Sequence, residues 1–522
     1  MTERDQFDLH HGSRMNMRLS AITRTAVCAL GLILQIGLTF LITWRLRQHA
    51  AYLYTAFELL GIVAAILMVN QEKNASYKMA WVLFVLLMPV FGLILYLMWG
   101  HSFEHPRRDR PMRQAFQAGY AQLSQDEEAL NRFIGKHPYR LRTARLLMHY
   151  NFPLYDQTGS EYFPVGEVQF ERMKQDLRQA RKFIFMEYFI IGENRVWAEI
   201  HEILRERAAH GVEVRVLYDD AGSLFTLKDG FIQRLTAEGI QCQVFGPVQR
   251  YVANLYLNYR NHQKICVIDG DVAYTGGTNL DDEYANLYPK HGHWKDTAVR
   301  LSGLGVWSLT VFFLQMWDST REKVTGDYAL YRPTRPARSD GFVQPLSDGP
   351  ANNPGNPGQA LYNQMIHDAG RYIYMTTPYL VIDDTMVDAL CRAAESGVDV
   401  RIVTPGQYDH WYVYPVTRSY YGQLIRSGVR IYEYTPGFIH AKMVVSDDDQ
   451  ALVGTFNMDY RSFYLHFEDA VWFCGGSMVD KVKDDVLKIF EVSHEVTLPE
   501  VNGRPLYYKA MAAVFRLFAP MM

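Results

Sequence analysis

The first hundred residues contain three long apolar runs. They cover residues 26–43, 51–69 and 80–99, and Glu58 is the only charged residue inside them. Each run is close to the roughly 20 residues that an α-helix needs to cross the hydrocarbon of a bilayer. The pattern therefore predicts three transmembrane helices. The alternative is a cleaved signal peptide followed by two buried helices, but no small-x-small cleavage site follows the first run.

Polar segments flank this predicted membrane domain, which spans residues 26–100. Residues 1–25 form an N-terminal tail, and residues 101–155 are polar and basic with helical spacing in places. The second segment is either a plain linker or an interfacial helix against lipid headgroups. Lys and Arg are nearly balanced around the apolar runs and slightly favour a cytoplasmic position for the C-terminal part.

The pattern changes after residue 155. Short runs rich in β-branched and aromatic residues alternate with stretches of helical periodicity. This alternation is typical of βαβ units around a largely buried sheet, so it predicts an α/β fold. The strand-like runs are KFIFMEYFII, VEVRVLYD and KICVID, then RYIYMTTPYLV, VDVRIVTP, VRIYEY and KMVVSD.

One sequence pattern occurs twice in this region. The two copies keep the same offsets: His262, Lys264, Asp269, Gly276 and Asn279 in the first, and His440, Lys442, Asp447, Gly454 and Asn457 in the second. The repeat predicts two tandem lobes, residues 156–335 and 359–522. A connector over residues 336–358 contains the Pro/Gly/Asn-rich segment GPANNPGNPG.

The amino-acid composition limits the classes of protein to which this chain can belong. The 522-residue chain is 48% hydrophobic with a formal net charge of −3, which excludes extensive disorder and argues against a global positive field for nucleic acid. Its five cysteines lie far apart without a CxxC pair, so neither a disulfide framework nor a zinc site is predicted. Unpaired cysteines fit a reducing compartment. The sequence predicts no metal and no cofactor.

The repeated residues suit metal-free phosphoryl transfer. Residues two apart on a strand point the same way, so His262 projects with Lys264, and His440 with Lys442. If the lobes pack face to face, both pairs and both asparagines converge on one pocket. One histidine then attacks phosphorus, the other protonates the leaving alcohol, and Lys and Asn stabilise the phosphoryl oxygens. A single HxK would be weak evidence, but two extended copies are specific.

The doubled HxKxxxxD pattern with its downstream G-x-x-N or GG-x-N resembles the phospholipase D superfamily. Over residues 50–522 the chain is most similar to bacterial cardiolipin synthases. The resemblance rests on MEYFII, VRVLYDDAGS, NYRNHQK, GGTNLDDEY and HWKDT in the first lobe, and on YMTTPYLVIDD, WYVYPVTRSYYGQLI, YEYTPGFIHAK and NMDYRSFYLHFE in the second. It implies N-terminal transmembrane helices and two α/β/α lobes with the active site between them. The run at residues 26–43 lies outside that family's two-helix core.

The resemblance also implies roles for individual residues. The predicted catalytic residues are His262, Lys264, Asp269, His440, Lys442 and Asp447, and the predicted phosphate-binding residues are Asn279 and Asn457. The two motif aspartates have an equal structural alternative, in which each closes a turn. Two further carboxylates, Asp296 and Glu468, are predicted to orient the histidines, with an ordinary strand-end carboxylate as the alternative. Glu187, Tyr379 and Arg418 are predicted at the pocket mouth, although the aromatic stretch around Arg418 also suits a core.

The predicted function is cardiolipin synthesis. A phosphatidyl group would pass from one phosphatidylglycerol to another through a phosphohistidine, with release of glycerol and with His262 favoured over His440 as nucleophile. The predicted partners are phosphatidylglycerol and the lipid bilayer, without nucleic acid. The predicted location is the bacterial cell membrane, multi-pass, with the lobes on the cytoplasmic side.

Other functions stay open at this point. A phospholipase D-type hydrolase and another phosphatidyltransferase belong to the same class of enzyme. A membrane-anchored phosphodiesterase for nucleic acid and a non-catalytic scaffold are more remote alternatives, and the oligomeric state is unassigned.

Overall fold

A computed structural model describes residues 30, 33–37, 39–40, 49–71, 74–97, 110–247, 259–321, 327–350 and 355–519. The chain divides into two compact units. The first comprises Met1–Glu104, Gly246–Asn258 and Leu517–Met522, and the second comprises His105–Phe245 and Tyr259–Arg516.

The described part of the first unit is helical. Its helices are α1 (His49–Val69), α2 (Ala75–Leu87) and α3 (Pro89–Leu95). Asn74 caps α2, because its side chain accepts hydrogen bonds from the backbone of Ser76 and Tyr77. Gly92 in α3 lies so close to α2 that a Cβ atom there would be 2.7 Å from the carbonyl oxygen of Phe84.

The continuous helix predicted over residues 80–99 is wrong. The helix is interrupted at Met88, whose backbone is not helical (φ −131° and ψ 74°). α2 ends before it, and Pro89 begins α3. Proline has no backbone N–H and suits the first position of a helix, so it starts a new helix here. Across the described residues, no helix combines the length and the apolar character that a membrane crossing requires. The predicted transmembrane helices therefore have no support there, and most of the predicted run 26–43 lies outside the described residues.

The second unit contains two α/β lobes, which confirms the predicted fold class at that level. Its helices are α4 (Arg110–Tyr120), α5 (Glu127–Lys136), α6 (Leu141–His149), α7 (Gly166–Arg178), α8 (Arg195–Ala209), α9 (Phe231–Ala237), α10 (Val306–Ser319), α11 (Pro357–Asp368), α12 (Asp384–Glu395), α13 (Val413–Arg426), α14 (Tyr460–Tyr464), α15 (Ser477–Glu491), α16 (Leu498–Gly503) and α17 (Leu506–Leu517). Short 3-10 helices cover Pro138–Arg140, Asp282–Ala285 and Tyr328–Tyr331.

The strands of the second unit form two main sheets and two short pairs. They are β1 (Thr158–Phe163), β2 (Phe183–Tyr188), β3 (Glu213–Asp219), β4 (Gln241–Phe245), β5 (Arg260–Asn261), β6 (Ile265–Ile268), β7 (Val272–Gly276), β8 (His293–Lys295), β9 (Ala298–Gly303), β10 (Phe342–Asp348), β11 (Tyr372–Thr376), β12 (Leu380–Val381), β13 (Asp399–Pro405), β14 (Arg430–Tyr434), β15 (Gly437–Ile439), β16 (Met443–Ser446), β17 (Gln450–Gly454), β18 (Met458–Asp459), β19 (His466–Cys474) and β20 (Ser493–Val496).

Both main sheets have the same topology. The first runs β1-β9-β7-β6-β2-β3-β4, and the second runs β10-β19-β17-β16-β11-β13-β14 with β20 added at its edge. In each, three neighbouring strands are parallel (β2-β3-β4 and β11-β13-β14), and the others pair antiparallel. The sequence repeat is thus a repeat of structure.

Helix α10 packs against strands of both sheets. It contacts β2, β6 and β7 of the first and β10 of the second. The residues of α10 from Val306 to Asp318 are all buried, as expected for a helix that is apolar on nearly every side. The ring of Phe313 stacks on Phe185 of β2 at 4.6 Å between centroids. This helix therefore ties the two lobes into one body with a shared core.

Candidate active site

Each HxK motif lies in a short extended segment between two strands. His262 and Lys264 fall between β5 and β6, and His440 and Lys442 fall between β15 and β16. The strand before each motif pairs in parallel with a strand of the opposite lobe, β5 with the start of β19 and β15 with β8. Next to each motif, a strand of one lobe therefore pairs with a strand of the other lobe.

This pairing between lobes continues into the motifs themselves. The backbone N–H of His262 donates to the carbonyl of Phe467 at 2.8 Å, and that of His440 donates to the carbonyl of Lys295 at 2.7 Å. The residue after each of these carbonyls carries a carboxylate, Glu468 in one case and Asp296 in the other. Pairing of the strands thus brings each histidine to a carboxylate of the opposite lobe.

Both predicted orienting carboxylates meet a histidine at Nδ1. Nδ1 of His262 lies 2.8 Å from Oε2 and 3.0 Å from Oε1 of Glu468. Nδ1 of His440 lies 2.6 Å from Oδ2 of Asp296. Both carboxylates are fully buried, and both histidines are nearly so. Since a carboxylate holds the Nδ1 side of each ring, Nε2 is the nitrogen that each ring offers to a substrate.

The two lysines turn back toward their own histidines. Nζ of Lys264 donates to the carbonyl of His262 at 2.7 Å, and Nζ of Lys442 donates to the carbonyl of His440 at 2.5 Å. Nζ of Lys442 also lies 2.8 Å from Nδ1 of His440. Burial lowers the pKa of Lys264 to about 8 and that of Lys442 to about 7. Two desolvated lysine side chains therefore lie beside the two histidines, and the charge of Lys264 adds to the effect of burial on the pKa of Lys442.

Burial acts differently on the two carboxylates. It raises the pKa of Glu468 well above its usual value. For Asp296, burial is outweighed by the neighbouring His440 and Lys442, and the pKa lies below its usual value. Burial and the charge of the adjacent lysine lower the pKa of both histidines, to about 4 for His440. Both imidazoles are thus neutral at pH 7, and the carboxylate beside His440 is the more strongly ionised of the two.

The two predicted phosphate-binding asparagines differ in their contacts. The side chain of Asn279 is engaged, because its Oδ1 accepts from the backbone of Ile190 at 3.0 Å and its Nδ2 donates to the hydroxyl of Tyr284 at 2.7 Å. In the described part of the chain, Oδ1 of Asn457 is buried without a hydrogen-bond partner. The backbone of Asn457 donates to Oγ of Ser462, which itself donates to Glu468.

The motif aspartates lie at the other end of their strands and bind backbone. The carboxylate of Asp269 accepts from the backbone N–H groups of residues 181, 182 and 183 at 2.7 to 3.1 Å. Asp447 accepts from residues 370, 371 and 372 at 2.7 to 3.0 Å, and Nη2 of Arg140 adds a contact at 3.2 Å. Both aspartates have positive φ, which is unusual for a residue other than glycine. These contacts support the structural alternative.

The three residues predicted at the pocket mouth have other partners. Glu187 is fully buried and binds the side chain of Asn261, so it is not at a mouth. Tyr379 donates to Asp409. The guanidinium of Arg418 is held by Glu433 in a bidentate pair at 2.6 and 2.8 Å.

Sequence reasoning missed three groups beside the histidines. The ring of Phe189 lies 5.1 Å from that of His262, and His466 lies 5.5 Å from it on another side. Nε of Arg461 donates to Nε2 of His466 at 3.2 Å. Arg461 and His466 both lie in the segment NMDYRSFYLHFE, which also contains Glu468. That segment supported the prediction of Glu468 as an orienting carboxylate, but nothing in it distinguished the other two residues.

One set of side chains has the spacing of metal ligands. Ligand atoms of His262, His466 and Glu468 lie within 4.8 Å of one another. The neighbouring charges oppose a cation, because Arg461 and Lys264 are among the groups that lower the pKa of His466, after burial. This environment favours an anion instead.

Two α/β lobes that share a pair of HxK motifs define a phospholipase D-like protein. A family model described as "Cardiolipin synthase, PLD-like domain" matches residues 173–288 and 362–490, and a "Phospholipase_D-nuclease N-terminal" model matches residues 59–101. The chain belongs to the cardiolipin synthase family, as the resemblance predicted.

Individual relatives agree with this assignment. The chain is 37% identical to an uncharacterised protein of Streptococcus mutans over 88% of its own length and all of the relative's length. It is 34% identical to the major cardiolipin synthase ClsA of Bacillus subtilis over 91% of this chain and 99% of that one. The crystal structure of phosphatidylserine synthase from Haemophilus influenzae superposes with a TM-score of 0.56 over 73% of this chain and 100% of that chain. At 15% identity, this last likeness shows the fold.

Proposed function

We propose that this protein makes cardiolipin by transferring a phosphatidyl group from one phosphatidylglycerol to another and releasing glycerol. The observation that carries the proposal is the crossed pairing of His262 with Glu468 and of His440 with Asp296. It gives one pocket two histidines whose Nε2 atoms can act in turn as nucleophile, acid and base. Family membership supplies the lipid substrate.

In the first step the neutral imidazole of His262 attacks the phosphorus of the donor lipid. A bond forms between Nε2 and phosphorus, and the bond from phosphorus to the glycerol oxygen breaks. That oxygen takes a proton from Nε2 of His440. The anionic phosphodiester favours the protonated form of His440 when it enters the pocket, and ionised Asp296 stabilises the resulting imidazolium.

In the second step His440 is neutral and acts as the base. It takes the proton from the free hydroxyl of a second phosphatidylglycerol, whose oxygen attacks the phosphorus. The bond between phosphorus and His262 breaks, which yields cardiolipin and restores the enzyme. The ammonium groups of Lys264 and Lys442 are placed to stabilise charge on the phosphoryl oxygens in both steps.

The assignment of His262 as nucleophile and His440 as acid rests on the two carboxylates. A general acid needs a partner that stabilises its extra charge, and Asp296 is the more strongly ionised of the two. Nζ of Lys442 lies 2.8 Å from Nδ1 of His440 and its charge opposes protonation of that ring, so ionised Asp296 must offset it when His440 acts as the acid. His262 instead has Glu468 as its one carboxylate contact at Nδ1 among the described residues.

We place the protein at the bacterial cell membrane, where both of its lipids reside. In the first unit, α1 exposes a series of large apolar side chains: Leu59, Leu60, Ile62, Val63, Ile66 and Leu67. In the second unit, Trp411, Leu506 and Tyr507 are exposed by 63%, 82% and 75%. Exposed apolar and aromatic groups of this kind suit contact with a bilayer. The four described cysteines are free, which fits the cytoplasmic face.

The product pattern of purified protein in phosphatidylglycerol vesicles tests this function. Wild type is expected to release cardiolipin and glycerol in equal amounts, and both His262→Ala and His440→Ala are expected to release neither. Phosphatidic acid as the main product would make the protein a hydrolase. Absence of turnover by wild type would reject the proposed substrate.

A further inference from the structure

Asp469 follows the orienting carboxylate Glu468 in β19 and is fully buried. Successive residues of a strand point to opposite faces, so Asp469 points away from the face on which Glu468 meets His262. The transfer steps described above do not use its carboxylate. A buried carboxylate is costly unless neighbouring groups compensate for its lost hydration, so its contacts indicate what it does.

The carboxylate of Asp469 reaches from the second lobe to the first. Its Oδ1 accepts a hydrogen bond from the backbone N–H of Lys264 at 3.3 Å, and its Oδ2 accepts one from the hydroxyl of Thr275 in β7. The backbone of Asp469 pairs with Thr455 of its own lobe, because its N–H donates to Oγ1 of Thr455 at 2.9 Å and its carbonyl accepts from the backbone N–H of Thr455 at 2.8 Å. Asp469 is thus fixed to one lobe by its backbone and holds the HxK motif of the other by its side chain.

The other half of the site has different residues at these two positions. By the register of the strands, the residue equivalent to Asp469 in the first lobe is Thr297, and the residue equivalent to Thr275 in the second lobe is Val453. Among the described residues, the hydroxyl of Thr297 is buried without a hydrogen-bond partner. A carboxylate and the hydroxyl that binds it therefore occur together behind the first motif, whereas a threonine and a valine stand behind the second.

The charge of Asp469 also acts on the side chain of Lys264. Burial lowers the pKa of Lys264 to about 8, although carboxylates around it act to raise the value. These are Glu468, Asp469, Asp296 and Asp219. The titratable groups around Lys264 also include His262, His440, His466 and Lys442. Because Asp469 is hydrogen-bonded to the backbone of Lys264, its negative charge lies directly behind the first motif.

Asp469 itself titrates near neutral pH. Burial raises its pKa to about 7, while hydrogen bonds from Thr275 and from the backbone of Lys264, and then the charge of Lys264, act in the opposite direction. Glu187 and Tyr188 of β2 are also close enough to interact with its charge, and burial raises the pKa of both well above the usual value, so neither is charged at pH 7. Asp469 therefore becomes negative as the pH rises through the range in which Lys264 begins to lose its proton.

We propose that Asp469 is a positioning residue for the first HxK motif. Through its hydrogen bond to the backbone of Lys264 and through its negative charge, it holds Lys264 in place as an ammonium group for the phosphate of the substrate. The inference rests on the proposed function and deepens it, because it makes the two halves of the pocket chemically different. Lys264 remains a cationic partner of the phosphate at a pH at which Lys442 has already lost its proton.

The pH profile of cardiolipin formation separates this role from a purely structural one. The Asp469→Asn side chain keeps the size of the wild-type group and resembles its protonated form. For the full chain in phosphatidylglycerol vesicles, we expect Asp469→Asn to change kcat/KM by less than about 2-fold at pH 6 and to lower it by about 3- to 10-fold at pH 8, because Lys264 loses its proton more readily without the anion behind it. Equal losses at both pH values, or no loss at either, would overturn the proposal.

Two further variants use the equivalent positions of the other half. The double variant Thr275→Val, Asp469→Thr gives the first half the two residues that the fold already accommodates in the second, so it serves the same test if Asp469→Asn does not fold. We expect it to show the same loss at pH 8. Thr297→Val is the matched control, because it removes a buried hydroxyl without a described partner, and its pH profile should equal that of wild type. A shift of the profile by Thr297→Val as large as that by Asp469→Asn would contradict a role of the carboxylate.

Binding of a simple phosphodiester tests the same role without turnover. Dimethyl phosphate is singly charged at both pH 6 and pH 8, so the protein groups alone titrate between these values. By calorimetric titration of the detergent-purified full chain, we expect Asp469→Asn to bind it as tightly as wild type at pH 6 and about 3- to 10-fold more weakly at pH 8. Equal affinities of the two proteins at pH 8 would overturn the role of Asp469. Wild type that shows the expected binding but forms no cardiolipin would instead reject the proposed function and leave the role of Asp469 intact.

Discussion

Oδ2 of Asp296 lies 2.6 Å from Nδ1 of His440, although 144 residues separate them and each belongs to a different lobe. Glu468 and His262 repeat the relationship in the opposite direction across 206 residues. Neither lobe therefore contains a complete histidine–carboxylate pair of its own. Catalysis by this arrangement requires both lobes in register.

The roles of the two histidines can be distinguished with a better leaving group. A phosphatidyl ester of 4-nitrophenol needs no proton for its phenolate to leave. We expect His440→Ala to release one equivalent of nitrophenol in a burst and then stall, because the second step still needs a base. His262→Ala should show no burst. A burst from His262→Ala and none from His440→Ala would reverse the assignment.

Activity should depend on pH through the two lysines. The pKa is about 7 for Lys442 and about 8 for Lys264, and kcat/KM reports the titration of such groups in the free enzyme. We expect kcat/KM to fall as the pH rises through this range, because phosphate binding needs the ammonium forms. A bound phosphate raises both pKa values, so kcat should fall only at higher pH. Identical profiles for kcat and kcat/KM would contradict this explanation.

Stability should change in the opposite direction at Lys442. Its pKa is about 7 in the folded protein and about 10.4 in an unfolded chain, so the unfolded state binds more protons between these values. Burial of the charge therefore costs most at or below pH 7, and the cost disappears toward pH 10. We expect Lys442→Met to be inactive but more stable by about 1 to 3 kcal/mol at pH 7. Thermal unfolding at pH 7 and pH 10 measures this, and a lower Tm at pH 7 would count against it.

Asp447 should matter for folding more than for chemistry. Its carboxylate binds three backbone N–H groups and Arg140, which hold its pKa below the usual value although burial acts to raise it. We expect Asp447→Ala to lower the free energy of unfolding by about 2 to 4 kcal/mol. Urea unfolding gives this number, with Asp388→Ala as the matched control, because the Asp388 side chain on α12 is 60% exposed. Wild-type stability together with lost turnover would show that Asp447 acts in the reaction instead.

The sequence repeat predicted the two lobes and the grouping of two histidines with two lysines, but not how the lobes meet. Alternation of apolar and polar residues identifies a strand and not its partner, so nothing in the pattern shows that β5 pairs with β19 or that β15 pairs with β8. For the same reason, Asp296 and Glu468 were found as carboxylates near histidines without the crossing that the structure reveals.

Other differences between the prediction and the structure also have identifiable causes. The helix over residues 80–99 was predicted from average hydropathy, which does not account for Pro89. This proline stands at the first position of a new helix, after the preceding helix has ended. Glu187 is buried because it lies in β2, all of whose residues are buried, and its partner Asn261 is remote in sequence. The positions of Arg461 and His466 beside His262 could not be predicted from hydrophobic periodicity. They depend on the hydrogen bond between the two side chains and on the folded distance of His466 from His262.

The pairing of strands between lobes also has a consequence during synthesis of the chain. A ribosome that has just completed His262 must add 206 more residues before Glu468 exists. At roughly 5 to 20 residues per second, this takes about 10 to 40 seconds. During that time the histidine has neither its orienting carboxylate nor the backbone carbonyl of Phe467 that fixes its position. A nascent or truncated chain therefore has no assembled site with which to attack the lipids around it, and lipid chemistry begins only when nearly the whole protein has been made.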